Sequence, residues 1–198
     1  MEIAHKYFFD LANQNPNNMN EIMQFSKNFL NNTMPKKIMN LHGNESCGKS
    51  FLVRLLGQLH DENKIYYFSH NPYPFNNDLC MGLFENKNYV VFDNVDENLN
   101  MGLVKQIVSN EPIKMRRLYE NEIMTTLNIT CIIISINDNL FNQSTKSKIG
   151  SVKLTGKFSY DSKFFDYLLQ YKNDIINFIN NFNDIEIIND DYVFDITI

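Results

Sequence analysis

Residues 43–50 read GNESCGKS, two glycines five residues apart followed at once by Lys and Ser, in a chain that has only seven glycines among its 198 residues. Glycine at each end of so short a stretch lets the backbone take left-handed conformations and approach a neighbour closely. A loop that turns its N–H groups inward makes a nest for phosphate oxygens, and a helix that follows adds the partial positive charge of its N-terminus. The pattern G-x-x-x-x-G-K-[ST] is therefore expected to cradle a nucleotide with the backbone of Gly43, Asn44, Glu45, Ser46, Cys47 and Gly48. Lys49 would reach the β and γ phosphates of ATP, and the Ser50 hydroxyl would ligate Mg²⁺.

Such a loop needs a strand before it and a helix after it. KIMNL (37–41) supplies a short strand, and SFLVRLLGQL (50–59) has the apolar spacing of a helix. Further strands are predicted at 64–69 (KIYYFS), 88–92 (NYVVF) and 130–136 (TCIIISI), with a helix over 99–109. Near-continuous apolar strands that alternate with helices imply an α/β fold, a mostly parallel central sheet with helices on both faces. Two helices, 3–13 and 19–30, precede the Pro35-Lys36-Lys37 break, and the tail reads as one amphipathic helix over 161–182 with a terminal strand or hairpin in 185–198. The length suits one domain, 1–198, with N-terminal helices in 1–35, a core in 36–160 and a C-terminal helix and strand in 161–198.

Composition narrows the setting. Hydrophobic residues make up 43% and aromatics 13%, as in globular proteins, and the net charge of −5 supplies no bulk basic field, so any nucleic-acid contact must come from a local patch. Cys47, Cys80 and Cys131 form no CxxC pair, which fits reduced thiols inside a cell. No apolar run reaches the roughly 20 residues of a membrane span. His5, His42, His60 and His70 are scattered, without the spacing of a metal nuclease.

Hydrolysis of a nucleotide needs a carboxylate at the end of a nearby strand to hold Mg²⁺ and orient water. Asp93, directly after NYVVF, is the candidate, although a turn Asp would look the same. The residue after it is Asn94, so the base that activates water would fall to Asp96 or Glu97, residues that also suit a solvated helix start. In SNEPIKMRRLYENE (109–122), Lys114, Arg116 and Arg117 with Tyr119 could offer charge and a stacking ring to a nucleic-acid backbone, or form a solvated surface hairpin. Asn137 follows the buried strand TCIIISI and is placed to sense the γ phosphate or the attacking water, or to make a turn.

Taken in order, GNESCGKS, VVFDN, NEPIKMRRLY and IIISIND resemble the motif series of the viral superfamily 3 helicases, including the helicase part of pox-like and phage primase-helicases and of the parvovirus replication protein. NPYPFNN (71–77) also looks like the segment before the acidic motif in the parvoviral members. The resemblance covers residues 36–139, and it implies an AAA+-like P-loop ATPase that assembles as a homo-oligomeric ring, usually a hexamer, and moves along single-stranded DNA, RNA being the other strand that such motifs serve. It further implies that Lys49 and Ser50 bind phosphate and metal, that Asp93 holds the metal, that Asn137 is the sensor, and that Lys114, Arg116 and Arg117 touch DNA in the channel. Origin recognition, nicking or priming would come from partner replication proteins, in host cytoplasm or nucleus if the source is viral. Family members usually carry an arginine after the sensor strand that completes a neighbour's site; here no Arg follows Arg117, and Lys146 and Lys148 occupy that region. Lys lacks the planar fork of Arg, so hydrolysis is expected to be slower than in members that carry the arginine. The competing readings are a non-helicase ATPase, such as a helicase loader or packaging motor, and a nucleotide-binding module that hydrolyses weakly.

Overall fold

The structure, a computed structural model, describes residues 2–68, 84–93, 95, 101–116, 119–136, 141, 143–157 and 162–183. Cys80, Asn94, Asp96, Glu97, Arg117, Asn137 and the 71–77 and 185–198 segments lie outside the described residues.

Helices α1 (Glu2–Leu11) and α2 (Pro16–Leu30) come first. Pro16 opens α2 at a position where its missing N–H costs nothing, and the Asn15 side chain accepts from the Asn18 N–H as N-cap. Strand β1 (Ile38–His42) then leads through the glycine loop into α3 (Lys49–Leu59). Strands β2 (Ile65–Phe68) and β3 (Tyr89–Phe92), helix α4 (Met101–Val108), the short strands β4 (Ile113–Met115) and β5 (Ile123–Thr125), and strand β6 (Thr130–Ser135) follow. Helix α5 (Gln143–Lys146), strand β7 (Gly150–Lys153), and helices α6 (Ser162–Gln170) and α7 (Lys172–Asn181) complete the order.

Five strands form one sheet in the order β2-β3-β6-β1-β7, and every pair in it is parallel. Alternation along the strands divides the core in two. Met39, Leu41, Tyr89, Val91, Ile132, Ile134 and Val152 pack with α1, α2, α3, α6 and α7 on one face. Ile38, Val90, Phe92, Cys131 and Ile133 pack on the other face with Ile107 of α4 and with Ile113 and Met115 of β4. Both faces are covered, as the apolar strands require.

One expectation needs correction, and one strand is new. The tail is two helices, broken at Tyr171, rather than one amphipathic helix. The segment 150–153, to which the sequence pattern assigned no element, is the edge strand β7, in which Val152 alone is buried. No helix among the described residues is long and apolar enough to cross a membrane.

Candidate functional site

Strand β1 delivers the chain to the carboxyl edge of the sheet at His42, and the loop begins there. Gly43 has φ +151°, and a Cβ built on it would lie 2.1 Å from the Leu154 carbonyl oxygen and 2.9 Å from Cys47 Sγ. Leu154 is fixed at that distance because its N–H donates to the His42 carbonyl, carrying the β1–β7 ladder one residue further. Gly48 adopts the left-handed conformation (φ 89°, ψ 9°) as N-cap of α3 and contributes no side-chain cap. The first-turn N–H groups of α3 therefore have no capping side chain and face the loop, the arrangement that accepts an anion.

Lys49 is the buried charge of the site, 9% exposed. Its Nζ donates to the Gly43 and Asn44 carbonyls, both at 2.7 Å, and lies 3.5 Å from Cys47 Sγ. The loop thus wraps the ammonium with its own carbonyl dipoles instead of a carboxylate. Cys47 is 1% exposed and fills the space beneath Gly43.

Asp93 stands just past β3, half-buried, with its N–H donating to the Phe68 carbonyl of β2. The Ser50 hydroxyl donates to Asp93 Oδ1 at 2.9 Å. The two candidate metal ligands therefore meet at one point. A cavity of about 20 Å³ lies beside them, lined by Ser50, Arg54, Tyr67 and Asp93 among others. That is room for one water or one small ion. Burial, with the Glu62 charge assisting, pushes the Tyr67 phenol up to about 12, so it faces this cavity as a neutral hydroxyl.

Strand β6 runs between β1 and β3, so its carboxyl end at Ser135 comes out between the loop and Asp93. Two polar residues that sequence reasoning missed hold that end: Ser135 Oγ donates to Asn40 Oδ1 at 2.9 Å, and both are buried. Their signal was a polar side chain against an apolar run, Asn40 within IMNLH and Ser135 at the end of TCIIIS.

The basic stretch forms a hairpin. β4 and β5 pair antiparallel, with Ile113 opposite Thr125 and Met115 opposite Ile123. Ile113 and Met115 anchor it in the core, while Lys114 between them points outward. Lys114 lies 3.5 Å from Glu122, a contact the sequence reading did not foresee. Arg116 is exposed, and Tyr119, 93% exposed with φ 66°, stands at the turn. Lys146 and Lys148 are exposed just before β7 begins, at the amino edge of the sheet, and so on the side away from this chain's own glycine loop.

The fold is that of an α/β P-loop NTPase, AAA+-like, with a five-stranded parallel sheet flanked by helices. The chain belongs to a family of unknown function, DUF5906, which matches residues 41–150. No curated protein matches its sequence significantly. Among solved structures it is similar to an apo form of the NrS-1 C-terminal region, with a TM-score of 0.69 at 13% identity over 93% of this chain and 46% of that one. The A form of the same region gives 0.68 at 14% identity over 92% of this chain and 45% of that one. JCV helicase with a bound small molecule gives 0.52 at 14% identity over 80% of this chain and 47% of that one. The chain thus spans under half the length of these structures.

Proposed function

We propose that this chain is a P-loop ATPase of the superfamily 3 helicase type, which binds MgATP at the glycine loop and moves along single-stranded DNA during genome replication. The observation that carries this reading is the 2.9 Å contact between Ser50 and Asp93, which joins the last residue of the loop motif to the only carboxylate the sequence offered as its partner. In this reading Lys49 would leave the Gly43 and Asn44 carbonyls to bind the β and γ phosphates, and Ser50 and Asp93 would hold Mg²⁺. A magnesium ion held there would supply charge neutralisation to the phosphates; water activation falls to Asp96 or Glu97, and γ-phosphate sensing to Asn137. The hairpin carrying Lys114, Arg116, Arg117 and Tyr119 contacts the strand by charge and stacking. Copies of the chain assemble as a ring, probed by a hexamer's mass in solution, with Lys146 and Lys148 reaching a neighbour's nucleotide. Their position at the edge opposite the chain's own loop supports a role in trans.

A second reading, a module that binds ATP and cleaves it slowly, is favoured by Asn94 after Asp93 and by the lack of any Arg beyond Arg117. One assay separates the two: phosphate release with and without single-stranded DNA, for the wild type and Lys49→Ala. The helicase reading expects DNA to stimulate release several-fold and Lys49→Ala to abolish it. Tight ATP binding without release supports the second reading, and equal ATP binding by wild type and Lys49→Ala defeats both.

A further inference from the structure

A second cavity, of about 360 Å³, opens at the amino edge of the sheet, opposite the glycine loop. Its walls come from the segments that enter three strands: Lys36 and Lys37 before β1, Asn88 before β3, and Asn128 before β6, with Asn32 following α2. The size is that of a small-ligand site. None of its lining residues is acidic, in a chain with 23 acidic residues against 18 Lys and Arg. Neither lysine is ion-paired among the described residues.

The hydrogen-bond pattern sets what the cavity can take. Lys37 Nζ donates to Asn128 Oδ1 at 2.9 Å; since lysine only donates, the Asn128 amide nitrogen is left as a donor. Asn88 Nδ2 donates to Asn32 Oδ1 at 2.9 Å, which leaves the Asn32 amide nitrogen likewise. Two backbone acceptors behind them are already used: the Asn88 carbonyl accepts from Thr130 N–H and the Lys37 carbonyl from Cys131 N–H. Two lysines and two amide donors thus line the cavity, with Asn88 Oδ1 as an acceptor beside them and no carboxylate opposing them, a set of donors that suits an oxyanion. The wall at Asn128 lies three residues past Thr125, the end of the basic hairpin, so at most roughly 11 Å of chain separates them.

We infer that this cavity is a phosphate-binding site in which Lys36, Lys37 and Asn128 hold a phosphate group, supplied by the backbone of the strand that the hairpin engages. The strand as source rests on the proposed function above; the phosphate chemistry does not.

The test measures binding of a fluorescein-labelled oligothymidylate by anisotropy over a salt series, for wild type, Lys36→Ala/Lys37→Ala and Lys114→Ala/Arg116→Ala. The cavity variant is expected to lose roughly tenfold in affinity and to flatten the log–log salt slope by roughly 0.7, the value for one phosphate contact on a single strand. Lys36→Arg/Lys37→Arg should restore both, and Lys36→Glu alone, a change at an exposed side chain, should weaken binding if the double variant folds poorly. A second arm measures the thermal shift given by inorganic phosphate and by ADP in a Lys49→Ala background, where the glycine loop is disabled. Loss of that shift in Lys36→Ala/Lys37→Ala, with oligothymidylate binding unchanged, assigns the site to free phosphate and overturns the strand as its source. If oligothymidylate binding, salt slope and phosphate shift are all unchanged in the cavity variant, the site is disproved. In that event a weakened Lys114→Ala/Arg116→Ala leaves the helicase reading standing by itself, whereas loss in the cavity variant without DNA-stimulated phosphate release does the reverse.

Discussion

The Ser50 hydroxyl reaches the Asp93 carboxylate at 2.9 Å although the strands that lead to them are not neighbours, since β6 lies between β1 and β3. Two strand spacings, roughly 9.5 Å, are bridged because the first turn of α3 leans across the end of β6. If this pair holds the metal, Ser50→Ala and Asp93→Asn should each reduce nucleotide affinity at least tenfold in Mg²⁺ and leave affinity in EDTA nearly unchanged. The lost hydrogen bond itself is worth about 1 kcal/mol, so both variants should remain folded. Titration of a fluorescent ATP analogue with and without metal reads this out, and unchanged Mg²⁺ dependence in both variants rules out the assignment.

Gly43→Ala tests the close approach at the loop entrance. The added methyl would meet the Leu154 carbonyl oxygen, a backbone atom held by its own ladder bond, so neither side can yield cheaply. A loss of about 2–3 kcal/mol in urea unfolding is expected, from overpacking and backbone strain together. Ser46→Gly is the control. Ser46 already sits at φ 58°, where glycine is at ease, and this change should alter stability by less than about 1 kcal/mol.

Gly57 on α3 faces β2 so closely that a Cβ would come within 2.1 Å of the Tyr67 hydroxyl oxygen. Gly57→Ala is expected to destabilise by about 1–3 kcal/mol. Tyr67→Phe removes the obstructing oxygen and gives up only a marginal 3.5 Å hydrogen bond to the Val53 carbonyl. The double variant should then recover most of the loss, a coupling that a denaturation cycle of the four proteins measures directly. Additive losses would show that the tyrosine tip is not what limits the site.

His60 caps α3 and packs edge-on against Phe29 and Tyr89. Its ring is hydrogen-bonded to the Leu30 backbone, and its Nε2 is buried without a partner. Burial lowers its pKa below 6.5, against the opposing pull of the Asp61 charge and the Leu30 bond. The folded state therefore prefers the neutral ring. Above pH 6.5 both folded and unfolded states are neutral and nothing is lost; as pH falls through 6.5 the unfolded chain takes up the proton first, and stability declines until the lowered folded pKa is passed. His60→Phe should flatten this part of the profile, seen as a smaller drop in Tm between pH 7.5 and 5.5 than in the wild type. An identical drop in both proteins would remove His60 as its source.

Much of this architecture was legible in the residues. GNESCGKS, with KIMNL before it and FLVRLLGQL after it, fixed strand, loop and helix to within a residue or two, because glycine placement and apolar spacing are local signals. The two N-terminal helices, β2, β3 and β6 followed from the same spacing. Strand β7 escaped because an edge strand with one buried side chain, Val152, carries almost no apolar pattern. The break at Tyr171 escaped because neither Gly nor Pro marks it; Lys172, whose Nζ donates to the Gln58 carbonyl at 2.7 Å, ties the chain there through a tertiary contact. Asp93 was picked for its place at a strand end, but that an inserted strand separates it from the loop is a matter of sheet order, which no local pattern encodes. The bond between Asn40 and Ser135 is invisible for the same reason.

The sheet order also sets when the glycine loop can become a site during synthesis. β1 pairs only with β6 and β7, whose residues Thr130–Ser135 and Gly150–Lys153 leave the ribosome long after the loop itself. Until Thr130–Ser135 emerges the loop's strand has no ladder on either side, and until Gly150–Leu154 follows the backbone that abuts Gly43 has not yet been made. A nascent chain stopped before Gly150 therefore has the β6 ladder but not the Leu154 backbone that shapes the loop, and ribosome-bound chains of increasing length should gain nucleotide protection only once residues 150–154 have emerged.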